Sequence, residues 1–147
     1  FFKKPRLKVG LNKNIINLHF NNFNASIRKV YINTDSLIFN GEFYDESSVI
    51  NENFIKTVLF QSKNNIPELD FVNNSILFEF SALFYDSPES NLYQYQLEGY
   101  KEEWSDWTLE HKKEYTNLQP GNYTFKIRAK NKYGIISEIS TFSFKVL

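Results

Sequence analysis

The chain has 147 residues, of which 41% are hydrophobic and 23% charged, a globular composition that excludes a disordered chain and suits one domain with or without an appendage. Seventeen basic and seventeen acidic side chains cancel, which leaves no long-range field to gather nucleic acid or an anionic membrane. The longest strongly apolar run, at residues 82–85, is about four long against the roughly 20 of a membrane-crossing helix. There is no cysteine, so disulfides, thiolate zinc sites and cysteine nucleophiles are excluded too.

Methionine is also absent and the chain opens with Phe1-Phe2, which reads as an excised piece of a longer protein. Aromatic residues make up 18% of it, a bias that suits half-buried pleated surfaces. Residues 1–34 hold five Lys, two Arg and no acid. That charge reads as scatter over solvated strand faces rather than a basic docking patch, because exposed pairs contribute only about 0–1 kcal/mol.

In chain order, strands are predicted at residues 7–11, 15–20, 27–32 and 37–39. Residues 40–65 then form a long loop or irregular insertion, with one ambiguous helical turn at 53–61. Ile76, Phe78, Phe80, Ala82 and Phe84 share one face of a long apolar strand. Turn chemistry follows in Asp86-Ser87-Pro88-Glu89-Ser90-Asn91, before Tyr93, Tyr95 and Leu97 alternate with Gln94, Gln96 and Glu98.

Further short strands are predicted around 104–108 and 113–117. The clearest signal comes last: Tyr123, Phe125, Ile127 and Ala129 alternate with Thr124, Lys126, Arg128 and Lys130, a strand with one dry face. Its partner is the closing segment in which Phe142, Phe144 and Val146 alternate with Ser143 and Lys145. Many short strands without intervening helices indicate an all-β protein, an antiparallel immunoglobulin/fibronectin-III-like β-sandwich. Residues 1–24 read as separate N-terminal strands and 25–147 as the sandwich.

Little in the sequence suggests chemistry. His19 alternates with its apolar neighbours on a solvated strand face, and His111 lies in a polar turn far from it. Neither has the companions of a metal site. Glu98, Glu102, Glu103, Asp106 and Glu110 cluster around two tryptophans, but they stand in turn-like sequence where carboxylates are simply hydrated, and no nucleophile elbow, phosphate loop or zincin motif occurs. No catalytic, cofactor-binding or metal-ligating residue is therefore expected.

Trp104 and Trp107 are three apart, which in a strand points them to opposite faces. That places Trp104 inward and Trp107 at a rim, where it could stack on a sugar together with Tyr100. In the other reading residues 102–106 turn, and both rings cover the sandwich edge. Tyr123, after Leu118-Gln119-Pro120-Gly121-Asn122, suits a tyrosine corner whose hydroxyl returns to the backbone a few residues upstream.

Tyr93-Gln94-Tyr95-Gln96-Leu97-Glu98-Gly99-Tyr100, then Trp104, then Tyr115-Thr116-Asn117-Leu118-Gln119-Pro120-Gly121-Asn122-Tyr123 and Arg128-Ala129 together resemble the three-tyrosine (Y_Y_Y) domain of bacterial two-component regulators. The resemblance covers residues 75–147. It implies a structural motif of Tyr93, Tyr95, Gly99, Trp104, Tyr115, Leu118, Pro120, Gly121 and Tyr123, in which the tyrosines pack the sandwich. It also implies a non-catalytic periplasmic or extracellular signal-relay module that follows a β-propeller sensor and precedes a membrane-spanning helix, with residues 1–24 as either the tail of that propeller or an added edge strand. The partners expected are those neighbouring domains and a second copy as a homodimer, without nucleic acid and without a cofactor. The alternative function is an oligosaccharide-binding sandwich that uses Tyr100 and Trp107.

Overall fold

The computed structural model describes residues 23–41, 61, 65–82 and 87–147. The strands expected at 7–11 and 15–20, His19, Phe84, the ambiguous turn at 53–61 and most of the 40–65 insertion lie outside these residues. Within them the chain forms eight strands: β1 Ala25–Ile32, β2 Ser36–Asn40, β3 Glu68–Leu69, β4 Ile76–Ala82, β5 Leu92–Glu98, β6 Lys112–Tyr115, β7 Gly121–Lys130 and β8 Ser140–Val146. Single 3-10 turns at Phe71–Asn73 and Pro88–Ser90 are the only helical pieces described. Among the described residues no helix is long and apolar enough to cross a membrane.

Two four-stranded sheets result, ordered β2-β1-β4-β6 and β3-β8-β7-β5. All pairings are antiparallel except that of β3 with β8. This is the β-sandwich expected from the sequence. The closing pair also forms as expected, with Tyr123 opposite Phe144 and Phe125 opposite Phe142.

The pleat explains which faces meet. Inward residues of β4, β7 and β8 alternate with half-exposed or exposed ones without a break, because a strand turns successive side chains to opposite faces. Phe78 of one sheet and Phe125 of the other are both fully buried and stack face to face, with centroids 3.9 Å apart and planes 6° from parallel. Around this stack lie Phe142 and Phe144, 6.0 and 6.1 Å from Phe78, and Phe80, 6.1 Å from Phe125. Tyr95 is half-buried and closes the side of the cluster against Phe80 and Phe125.

Polar links cross between the sheets at their ends. The Ala82 amide at the end of β4 donates to the Tyr93 hydroxyl on β5 at 3.1 Å. At the start of β1, the Ser140 hydroxyl of β8 donates to the Ala25 carbonyl, and Asn24 bridges Glu138.

The outer edge of β8 is covered by the segment before β4. Lys145 donates its amide to Pro67 and Leu147 donates to Leu69, at 3.0 and 2.9 Å. At Ser143 the covering group is a side chain: the Gln61 amide donates to the Ser143 carbonyl and accepts from the Ser143 amide, both at 2.7 Å. Gln61 thereby reproduces the pairing of a strand residue and shields an edge that would otherwise invite another strand.

Replacing Phe125 by Ala removes one ring of the central stack and leaves a cavity against Phe78. It is expected to cost about 3–5 kcal/mol in urea unfolding; a loss below about 1 kcal/mol would place the ring outside the core.

Candidate functional site

The glycine, leucine and tyrosines of the motif gather in two places, the end of the sandwich where β7 begins and the side between β5 and β6. At the first, the chain leaves β5 through Gly99, whose φ of 97° lies in the left-handed region that glycine enters at no cost. A Cβ on Gly99 would stand 2.5 Å from the Asn122 carbonyl oxygen. Glycine thus allows both the turn and the close approach of β7.

Opposite this turn, Leu118 is fully buried and its carbonyl accepts from the Asn74 amide nitrogen at 3.1 Å. The Tyr123 hydroxyl donates to the Gln119 carbonyl at 2.6 Å while its ring stacks on Phe144 at 5.3 Å. That is the geometry of a tyrosine corner. Pro120 and Gly121 complete the turn into β7.

Along the open side, Tyr93, Tyr95 and Leu97 of β5 project inward toward β6. Tyr93 is buried, and its ring meets that of His111 at 5.4 Å. Tyr115 is buried against Phe78 and Phe125 and receives the edge of Tyr100 at 5.8 Å. Burial raises the hydroxyl pKa of Tyr93, Tyr95, Tyr115 and Tyr123 above the usual phenol value, so all four pack as neutral groups, and Tyr93 and Tyr123 also hydrogen-bond.

The tryptophans depart from the strand expectation. Thr108 pairs fully with Tyr93, at 2.7 and 2.9 Å, and the Ser105 amide donates to the Tyr95 carbonyl at 2.8 Å. The Ser105 hydroxyl also accepts from the Tyr95 amide at 3.0 Å. Three steps from 105 to 108 thus face two steps from 95 to 93, which is the extra residue of a β-bulge. Residues 104–108 form no regular strand, and the bulge cancels the odd spacing of the rings.

Trp104 is accordingly half-exposed rather than buried, as is Trp107, and both cover one outward cation. The Arg128 guanidinium lies 4.2 Å from the Trp104 ring and 5.8 Å from that of Trp107, and the Lys130 ammonium lies 4.4 Å from Trp107. Arg128 also donates to the Gln94 side-chain oxygen at 2.8 Å. The sequence shows Arg128 only as an outward position of β7; its role depends on the bulge, which has no local signature.

Tyr100 and Trp107 have different ring partners. Lys101 is bridged to Leu97 and Thr108 to Tyr93, so the two rings flank stretches of β5 about 14 Å apart at the usual rise per residue. Tyr100 is held against Tyr115 and Trp107 under Lys130.

The carboxylates are similarly dispersed. Glu98 pairs with Lys126 at 2.6 Å and Glu103 with Lys101 at 3.7 Å, while Glu102, Asp106 and Glu110 are exposed. Among the described residues no three His, Asp or Glu side chains are grouped to hold a metal ion. His111 is exposed and extended at the mouth of β6 rather than in a tight turn, and its carbonyl accepts from the Phe80 amide at 2.9 Å.

Gly99 and Gly134 offer an internal comparison. Both have positive φ, but nothing lies within 4 Å of a Cβ placed on Gly134. Gly134→Ala is expected to cost about 1–2 kcal/mol, the conformational penalty alone, and Gly99→Ala measurably more in the same denaturation series. Equal losses would show that the approach of Asn122 does not constrain position 99.

Residues 84–147 match the family model of the Y_Y_Y domain. Among solved structures, the chain is similar to the extracellular domain of BT4673, a one-component system of B. thetaiotaomicron, with 26% identity and a TM-score of 0.57 over 84% of this chain and 15% of that one. It shares its fold with the extracellular domain of BT3049, a hybrid two-component system of the same organism, at 21% identity and a TM-score of 0.59 over 95% of this chain and 16% of that one. The chain thus spans only a small part of the length of either. No curated protein is matched by the sequence. The glycine turn, the tyrosine corner and the tyrosine-lined side all lie within the segment, residues 84–147, that matches the Y_Y_Y domain model.

Proposed function

We propose that the chain is a non-catalytic extracytoplasmic relay module of a bacterial transmembrane signalling regulator, coupling an upstream sensor to a membrane helix. The observation that carries this reading is the match of residues 84–147 to the Y_Y_Y domain model, in a chain built as a two-sheet sandwich and similar to part of the extracellular domain of a signalling protein. Physically, such a module must be stiff, so that a displacement at one end is not absorbed within it. A core packed near crystal density provides that stiffness. β7 and β8 run beside one another over seven paired positions, and β8 spans about 20 Å at the ordinary strand rise.

In this reading, the boundary between a preceding sensor element and the sandwich falls near residue 25. The whole module lies on the periplasmic or extracellular face of the membrane, and a second copy joins it in a homodimer within the receptor. The alternative, oligosaccharide binding on Tyr100 and Trp107, has less behind it, because Tyr100 is held against Tyr115 while Trp107 packs with Lys130.

The test is made in the intact receptor with a reporter of its output. Phe144→Ala, which loosens the core where β8 meets β7 and Tyr123, is expected to leave ligand binding by the upstream sensor unchanged and to abolish the output response. A full response from a receptor whose sandwich has been shown to be loosened would contradict the relay role.

A further inference from the structure

Lys113 occupies an inward position on β6. It shares its face with buried Tyr115 and lies opposite Phe78 in the ladder with β4. An inward charge on the last strand of a sheet is costly unless its head finds a partner. Its ammonium lies 5.1 Å from the centre of the Tyr115 ring and 5.5 Å from that of Tyr95. No described carboxylate forms an ion pair with it. The two ring faces therefore supply the attraction that an acid would otherwise provide, and both distances fall within the range of a cation–π contact.

Both rings are themselves fixed. Tyr115 is wedged between Phe78 and Phe125 on one side and Tyr100 on the other, and Tyr95 rests on Phe80 and Phe125. They belong to different sheets, Tyr95 to β5 and Tyr115 to β6. The site is thus built on rigid strands, and it opens to solvent beside half-buried Tyr95 and exposed Tyr100. A two-ring cleft of this kind recognises ammonium groups in general, since the ring faces attract charge without specifying what the nitrogen carries.

We propose that Tyr95 and Tyr115, buttressed by Tyr100, form a binding site for alkylammonium cations whose resident ligand is the ammonium of Lys113. The tethered lysine is present at an effective concentration on the order of millimolar or above, so it excludes a free amine from the intact protein at lower concentrations. Removing it exposes the site. A lysine or methylated amine of a partner could enter only by displacing Lys113, which also withdraws a link between the two sheets.

The experiment uses the full chain, the variant Lys113→Ala, and tetramethylammonium chloride as probe, with sodium chloride at equal ionic strength as control. The expected result is a saturable rise of the variant's thermal midpoint with the probe but not with sodium, and magnetisation transfer from the probe methyls to the rings of Tyr95 and Tyr115. The unsubstituted chain is expected to show neither below millimolar probe. Should Lys113→Ala not fold, Lys113→Met retains the stem. In the unsubstituted chain, the ε-methylene protons of Lys113 should resonate upfield of those of the other lysines and return toward them in Tyr95→Leu. An unshifted ε-methylene, or a folded variant that responds identically to both salts, would overturn the proposal.

Discussion

The stack of Phe78 on Phe125 is the contact on which the rest of the molecule depends. No ladder joins β4 to β7, so the two sheets are held face to face by side chains and by a few polar links at their ends. A ring pair 3.9 Å apart at nearly parallel planes can form only if both strands present those positions inward at the same height. Once it forms, the neighbouring rings of Phe80, Phe142, Phe144 and Tyr115 have fixed walls to pack against. Close interior packing resists shear, which is the property that the proposed relay role requires.

The tyrosines of the motif have a common logic around that core. Each carries a large apolar ring inward, and two of them place the hydroxyl where a polar group is needed. Tyr93 uses it across the sheets at Ala82, and Tyr123 uses it to hold the corner at Gln119. Tyr95 and Tyr115 instead offer ring faces to a cation at the open side. The sandwich is thus fastened at its ends by hydrogen bonds and along one side by aromatic faces, while Gln61 shields the β8 edge on the other.

How much of this the sequence reveals depends on how local the cause is. β4, β5, β7 and β8 are readable because burial on one face imposes a strict period of two, and Tyr123 because the turn before it demands particular residues. β3 is not: two residues pairing in parallel with β8 leave no pattern. Trp104 and Trp107 mislead for a related reason, since their sides are set by a bulge defined only by the pairing of Ser105 and Thr108 with β5. Lys113 reads as an ordinary charge until β6 is aligned with β4 and its position proves to face inward. Gln61 acts 82 residues from its partner, and no reading of neighbours anticipates that.

A double-mutant cycle at Phe78 and Phe125, each replaced by Leu singly and together, measures the central contact most directly. If the rings lock the two sheets as described, the cycle returns a favourable coupling of about 0.5–1.5 kcal/mol in equilibrium unfolding. Losses that add to within about 0.3 kcal/mol would mean that the rings do not sense one another, and the sheets would then have to be held together by something else.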